Sequence, residues 1–256
     1  MTVVLDVERI SKRLGGLQAV DAASFTVESN TITSLIGPNG AGKTTAFNMV
    51  CGFLKPDEGR IAFRGQEIAG REPHAIAEMG MARTFQDPRV FPDMTVLENI
   101  LVGVRQKGEH PLWALLRGAE VDAQEKKILE KSKHILETTG LADRARDRAS
   151  SLSFGEQRFL SIARALIREP DIILLDEPTV GLDKATFGSL IDLMTHLIKT
   201  EGKTILLIEH NMDVVMSISA KVVLMVQGAV VASGSPEEIR SHRSMVEAYL
   251  GKRHVA

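Results

Sequence analysis

The sequence is short of the features that mark several protein classes. It has one cysteine, Cys51, in 256 residues. A single thiol makes no internal disulfide, which excludes a disulfide-stapled scaffold and fits a reducing compartment. Neither sign of charge dominates: 31 Lys and Arg stand against 33 Asp and Glu, a net charge of −2. That argues against a protein holding nucleic acid by bulk positive charge, and no nucleic-acid partner is expected. Long apolar stretches are missing too. Runs such as Ile172–Leu175 and Val222–Val226 have the length of strands, against the roughly 18 to 20 residues that cross a bilayer. Asp6 and Glu8 stand in the opening decapeptide, where a secretory signal would be basic and then apolar. Membrane association is therefore expected only through a protein embedded there. What remains is an ordinary globular balance, 44% hydrophobic and 25% charged, in a chain long enough for one or two domains with a sizeable core.

Three apolar runs end in polar residues: Ile32–Ile36 before Gly37, Ile172–Leu175 before Asp176, and Ile205–Ile208 before Glu209. Such runs suit parallel strands buried on both faces. Between the last two, Phe187, Leu190, Ile191, Met194, Leu197 and Ile198 recur at helical spacing, with Gly202 as a stop. Alternating strands and helices predict an α/β sheet whose ligands bind at the carboxyl ends of the strands. The start of the chain reads differently. Val3-Leu5-Val7, Phe25-Val27 and Ile61-Phe63 alternate with polar neighbours, as half-buried antiparallel strands do. Residues 90 to 165 are mostly helical, the clearest piece setting Ile128, Leu129, Ile135 and Leu136 on one face before Gly140. Within them, segment 105 to 118 holds Trp113 among Leu112, Leu115 and Leu116; local packing is favoured over an exposed docking patch.

Gly37-Pro38-Asn39-Gly40-Ala41-Gly42-Lys43-Thr44 follows the first of these strands and matches G-x-x-x-x-G-K-[ST]. Small residues let successive backbone N–H groups curl around a phosphate chain, and the helix beginning near Lys43 aims its positive end at the same anion. Lys43 would reach the β- and γ-phosphates and Thr44 would offer a hydroxyl to Mg²⁺. Asp176 and Glu177 end a second strand; beside a phosphate loop, the Asp can hold the Mg²⁺ shell and the Glu can orient or deprotonate water. His210 ends the third strand. Alone it would be structural more often than catalytic, but its position suits a γ-phosphate contact or the alignment of water. Leu152-Ser153-Phe154-Gly155-Glu156-Gln157 precedes an apolar helix face of Phe159, Leu160, Ile162, Ala163, Leu166 and Ile167. Spacing alone favours an ordinary helix capped by Ser153. Ser, Gly and a helix N-terminus together also make a second anion site, which suggests that two chains share each nucleotide.

In this order the motifs resemble the nucleotide-binding subunit of an ATP-binding cassette (ABC) transporter. Gly37 to Thr45 is similar to the Walker A loop, Gln86 in Arg83-Thr84-Phe85-Gln86 to the Q-loop glutamine, and Leu152 to Gln157 to the signature motif. Ile172 to Glu177 resembles Walker B, Gly181-Leu182-Asp183 the D-loop and His210 the switch histidine. Further segments resemble the larger ATPase subunit of branched-chain amino-acid importers and their amide and urea relatives: Met81 to Gln86, Met94 to Asn99, Leu207 to Met212, Gly234 to Ile239 and Ala248 to Gly251. The resemblance implies a P-loop NTPase core with a mostly parallel sheet, an N-terminal antiparallel β subdomain and an α-helical insertion. It implies one ABC ATPase domain over 1–256, with a helical subdomain at about 90–165.

By resemblance the chain hydrolyses ATP with Mg²⁺ at the cytoplasmic face of a membrane, as a peripheral subunit. Gly37, Pro38, Asn39, Gly40, Ala41, Gly42, Lys43, Thr44 and Thr45 would hold the nucleotide, and Thr44, Gln86 and Asp176 the metal. Glu177 and His210 would be catalytic, and Ser153 with Gly155 would clamp ATP across a head-to-tail dimer, formed with itself or with a paralogous ATPase. The implied partners are two transmembrane permease subunits and, indirectly, a solute-binding protein. The chain departs from the family where Leu14 replaces an adenine-stacking aromatic, so weak discrimination between ATP and GTP is expected. Phe154 in the signature, where Gly is common beside a Gln or Glu such as Glu156, and Lys184 after the D-loop are departures expected to preserve function. A soluble ABC ATPase in assembly work, of the iron–sulfur biogenesis type, is the alternative. A GTPase switch is disfavoured because the chain has no Asn-Lys-x-Asp motif, and a non-hydrolysing module because Lys43, Asp176, Glu177 and His210 are all present.

Overall fold

The computed structural model describes residues 2–104, 118–243 and 245, with the backbone alone over 118–125. Trp113 and its leucine neighbours lie outside the described residues. The chain forms two compact units. The first is built from residues up to Arg83, from Asp171–Val180 and from Met194 onward; the second is built from Thr84–Pro170 and Gly181–Leu193.

The first unit holds ten strands among the described residues: β1 (Val3–Leu14), β2 (Leu17–Glu28), β3 (Ile32–Ile36), β4 (Glu58–Phe63), β5 (Gln66–Glu67), β6 (Met81–Arg83), β7 (Ile172–Asp176), β8 (Thr204–Ile208), β9 (Lys221–Val226) and β10 (Ala229–Gly234). Four of them form an antiparallel sheet in the order β2-β1-β4-β5, and six form a second sheet in the order β10-β9-β3-β8-β7-β6. The second sheet is parallel except at its β9–β10 edge. Val3, at the start of β1, is exposed, and β4 does not alternate as expected, because Ala62 is buried between Ile61 and Phe63. The alternation read in β1 and β2 carries through, with Leu5, Val7, Phe25 and Val27 buried. These side chains share one core with Phe47, Met49 and Val50 of the helix Lys43–Val50 and with Leu35, Leu174 and Leu206 of the parallel sheet. Burying each Leu or Phe here contributes about 1.5–3 kcal/mol.

Every residue of β3, β7 and β8 is buried, as expected of parallel strands covered on both faces. Their register places β8 between β3 and β7, with Leu35 opposite Ile208 and Asp176 opposite Ile208 on the other side. The segments after the three strands therefore leave one edge of one sheet.

The second unit is helical, with Val96–Val102, the helix Gly118–Thr138 and Phe154–Leu166. In Phe154–Leu166 the whole expected apolar face is buried, and Ile167 after it as well. The face of Gly118–Thr138 differs from expectation. Ile135 and Leu136 are buried, but Leu129 is 56% exposed and its place is taken by Ser132, which is fully buried. Ser132 and the buried Thr139 donate their hydroxyls to the carbonyls of Ile128 and Ile135, both at 2.8 Å. Small hydroxyls satisfied within their own helix pack as apolar groups, and a hydrophobicity count misses them. In Lys184–Lys199 the buried stripe is Leu190, Leu193, Met194 and Leu197, so Leu193 joins the expected set while Phe187, Ile191 and Ile198 flank it half-buried. No helix among the described residues is long and apolar enough to cross a membrane.

Candidate nucleotide site

In the first unit the loop between β3 and the helix Lys43–Val50 is fixed by backbone packing. Gly37 has φ 149° and Gly42 φ 94°. A Cβ at Gly37 would lie 2.1 Å from the carbonyl oxygen of Met225, and one at Gly42 would lie 2.3 Å from that of Ala19. Side chains are thus excluded by neighbouring backbone at both ends of the loop. No side chain caps the helix Lys43–Val50, whose N-cap is Gly42 in the left-handed conformation. The helices Val96–Val102, Phe154–Leu166 and Pro236–Ser241 each begin with a capping box instead. The first-turn N–H groups at Lys43 are therefore not taken up by a side-chain cap.

Lys43 is 5% exposed. Its ammonium donates to the carbonyls of Gly37 at 2.8 Å and Pro38 at 3.0 Å. Burial lowers its pKa, and the carboxylates of Glu177 and Asp176 pull the other way. Around it, Pro38 and Thr45 are half-buried, Ala41 is buried, and Asn39, Gly40 and Thr44 are exposed.

Asp176 closes β7 and is buried. Burial raises its pKa; the Arg83 guanidinium, 3.1 Å from Oδ2, opposes the rise. Arg83 also donates to Asn48 Oδ1 at 2.6 Å and lies over the rings of Phe47 and Phe53. Sequence reading assigned Arg83 no role. The signal available was a charge closing a short apolar segment just before Gln86.

Glu177, the next residue, has φ 48°, a left-handed conformation that a non-glycine residue adopts at a cost of about 1–3 kcal/mol and that clusters at functional sites. Its N–H donates to the Ile208 carbonyl at 2.9 Å. Its Oε1 lies 2.7 Å from His210 Nε2. The two residues named from the ends of separate strands are thus in hydrogen-bond contact. Glu209, buried beside His210, also binds Thr179, a pairing that nothing in their spacing of 30 residues announces. Leu14, at the end of β1, is 44% exposed.

The second unit holds the remaining candidates. Gln86 is exposed, and its backbone carbonyl accepts from Nη1 of Arg158, as does that of Phe85 at 3.2 Å. Arg158 is 1% exposed in the middle of an apolar helix face, and sequence reading assigned it no role. Ser153 caps the helix Phe154–Leu166: its hydroxyl accepts from Glu156 N–H at 3.3 Å, and Glu156 Oε2 accepts from Ser153 N–H at 2.7 Å. Arg144 holds Glu156 Oε1 at 2.7 Å. Gly155 is buried, and a Cβ there would stand 2.5 Å from Thr186 Cγ2. The Phe154 ring lies against Gly181 and under Arg158. Asp183 accepts from the N–H of Thr186 at 3.1 Å and from its hydroxyl at 2.6 Å, and these bonds lower its pKa.

Comparison with known proteins agrees with this architecture. The ABC transporter family profile matches residues 20–180. The high-affinity branched-chain amino acid transport ATP-binding protein LivG of Escherichia coli is 42% identical over 250 residues, covering 97% of this chain and 98% of that protein. The corresponding protein BraF of Pseudomonas aeruginosa gives the same figures. Among solved structures, a nucleotide-free ATP-binding cassette from an ABC transporter superposes with TM-score 0.84 at 36% identity, covering 98% of this chain and 100% of that one. An ABC transporter cassette in its ADP conformation gives TM-score 0.84 at 34% identity, with coverage of 98% and 100%. With a phosphate loop, a buried Asp and a Glu–His pair on one sheet edge, the chain belongs to the ABC transporter family and is an ABC ATPase of the P-loop cassette fold.

Proposed function

We propose that this chain hydrolyses ATP to drive uptake of branched-chain amino acids, or related small polar solutes, through a membrane transporter. The contact between Glu177 and His210 at 2.7 Å carries the catalytic part of the reading. The near full-length similarity to LivG and BraF supports the transported class.

In this reading the loop Gly37–Thr45 wraps the phosphates with backbone N–H groups, and Lys43 exchanges its loop carbonyls for phosphate oxygens. The Thr44 hydroxyl and the Asp176 carboxylate are hard oxygen donors and would hold Mg²⁺, which takes most of its ligands from water and substrate phosphates. When bound, that ion neutralises charge on the β- and γ-phosphates. Glu177 draws the proton of a water whose oxygen attacks the γ-phosphorus; the bond to the β-bridging oxygen breaks, giving ADP and phosphate. His210 holds Glu177 in place and reaches the γ-phosphate. Ser153 and Gly155 contact the ATP of a partner cassette head to tail, and two permease subunits receive the motion.

Two experiments test the reading. Replacing Glu177 by Gln should lower ATP turnover by about a thousandfold while nucleotide binding persists and an ATP-bound dimer accumulates; full turnover in that variant overturns the assignment. Tagged chain recovered from detergent-solubilised membranes with ATP should bring down two polytopic membrane proteins and a second ATPase. Recovery without any integral-membrane partner would sink the transport reading and favour the assembly ATPase.

A further inference from the structure

Glu209 follows the last residue of β8 and is 1% exposed. Its two carboxylate oxygens tie two separate loops. Oε1 accepts from the N–H of Thr179 at 3.2 Å and from the Thr179 hydroxyl. Oε2 accepts from the N–H of His210 at 2.8 Å and of Asn211 at 3.0 Å. Four donors converge on one buried anion, an arrangement that only a carboxylate satisfies. A glutamine would turn its NH₂ toward two of these four donors and leave at least one backbone N–H without an acceptor.

The two loops are those that carry the reacting pair. Thr179 lies two residues beyond Glu177, and His210 adjoins Glu209. Glu177 holds φ 48°, and such a conformation persists only where its surroundings over-determine it. On one side it is fixed by its N–H bond to Ile208 at 2.9 Å; on the other, the Glu209–Thr179 bonds pin the chain just after it. The same carboxylate fixes the backbone of His210. From this geometry we infer that Glu209 is a positioning residue. It sets the separation and orientation of Glu177 and His210 without touching nucleotide, and Thr179 is its partner across the two loops. The inference rests on the catalytic reading of that pair given above.

The test uses purified full-length chain, single-turnover ATP hydrolysis and binding of a fluorescent ATP analogue. Glu209→Gln should slow hydrolysis about a hundredfold, the size of loss expected from a misplacement near 1 Å, while analogue affinity stays within about threefold. Thr179→Val, which removes the hydroxyl alone, should slow it about tenfold, and Thr179→Ser, which keeps the hydroxyl, should stay within about threefold. On a His210→Ala background, Glu209→Gln should cost only about tenfold more, the share that acts through Glu177, because the share that acts through His210 is already lost. Native rates in both Glu209→Gln and Thr179→Val overturn the proposal. So does a loss in Glu209→Gln that is undiminished on the His210→Ala background, or one matched by the fall in analogue affinity. If Glu209→Gln does not fold, the Val and Ser variants of Thr179 decide. Glu177→Gln separates the two claims: retained turnover there removes the catalytic pair itself, whereas its loss alongside native turnover in Glu209→Gln removes only the positioning role.

Discussion

Two arginine–aspartate pairs show how burial decides what an ion pair contributes. Arg83 and Asp176 side chains are 9% and 10% exposed, whereas those of Arg64 and Asp171, 2.6 Å apart, are 59% and 46% exposed. Removing one partner of a buried pair strands the other charge, at a cost of about 3–5 kcal/mol, while an exposed pair contributes about 0–1 kcal/mol. Arg83→Met should therefore lower the urea midpoint strongly, and Arg64→Ala should leave it almost in place. Equal small shifts for both would contradict the pairing of Arg83 with Asp176. Cys51 lies in the same neighbourhood, buried, with its thiol pushed from an ordinary 9.0 up to about 11, mainly by burial and against the pull of Arg83. The folded state thus favours the neutral thiol. Its contribution to stability is full below pH 9 and is lost as pH rises toward 11. At pH 8 alkylation of Cys51 should be slow in the native chain and fast in urea; equal rates would show the thiol to be accessible.

At the scale of elements, the helix starts divide by task. Ser235 and Glu238 satisfy each other's N–H groups at the start of Pro236–Ser241, and Ser235→Ala should cost about 1 kcal/mol in denaturant unfolding without touching ATP affinity. The helix Lys43–Val50 starts at Gly42, without a side-chain cap. There Gly42→Ala would bring a Cβ to 2.3 Å from the Ala19 carbonyl oxygen, and a backbone atom cannot yield as a flexible side chain does. This change should reduce affinity for an ATP analogue by about tenfold or more, with a lower melting temperature, because the loop must open to admit the methyl group. Native affinity would show that the loop relaxes elsewhere.

The molecule as a whole supplies the phosphate loop and the Glu–His pair in one unit and the capped Ser153–Gly155 turn in the other. If the turn serves a partner's nucleotide, as proposed, hydrolysis is a property of two chains. Specific activity of the purified chain should then rise with protein concentration over the range in which dimer forms, and Ser153→Ala should lower it by about tenfold or more. An activity independent of concentration, measured from nanomolar upward, would point to a self-sufficient cassette.

Much of this was legible in sequence because parallel strands buried on both faces write continuous apolar runs, and β3, β7 and β8 were found that way. The glycines of the loop after β3 were legible because close backbone packing leaves room only for glycine at Gly37 and Gly42. Leu129 and Ser132 exchanged places because an internally bonded hydroxyl does not register as apolar. Arg83, Arg158, Glu209 and Thr179 stayed hidden for a related reason. Their partners lie 93, 73 and 30 residues away, and a charged residue in a sequence carries no mark of burial. By itself the sequence marked the buried parallel strands β3, β7 and β8, the glycine-rich loop after the first and the carboxylates at the end of the second. Only the tertiary structure decided which strand lies between which. That order sets Glu177 against His210 and turns Glu209 inward to bind both loops, since sheet register, and not chain distance, fixes what a side chain meets.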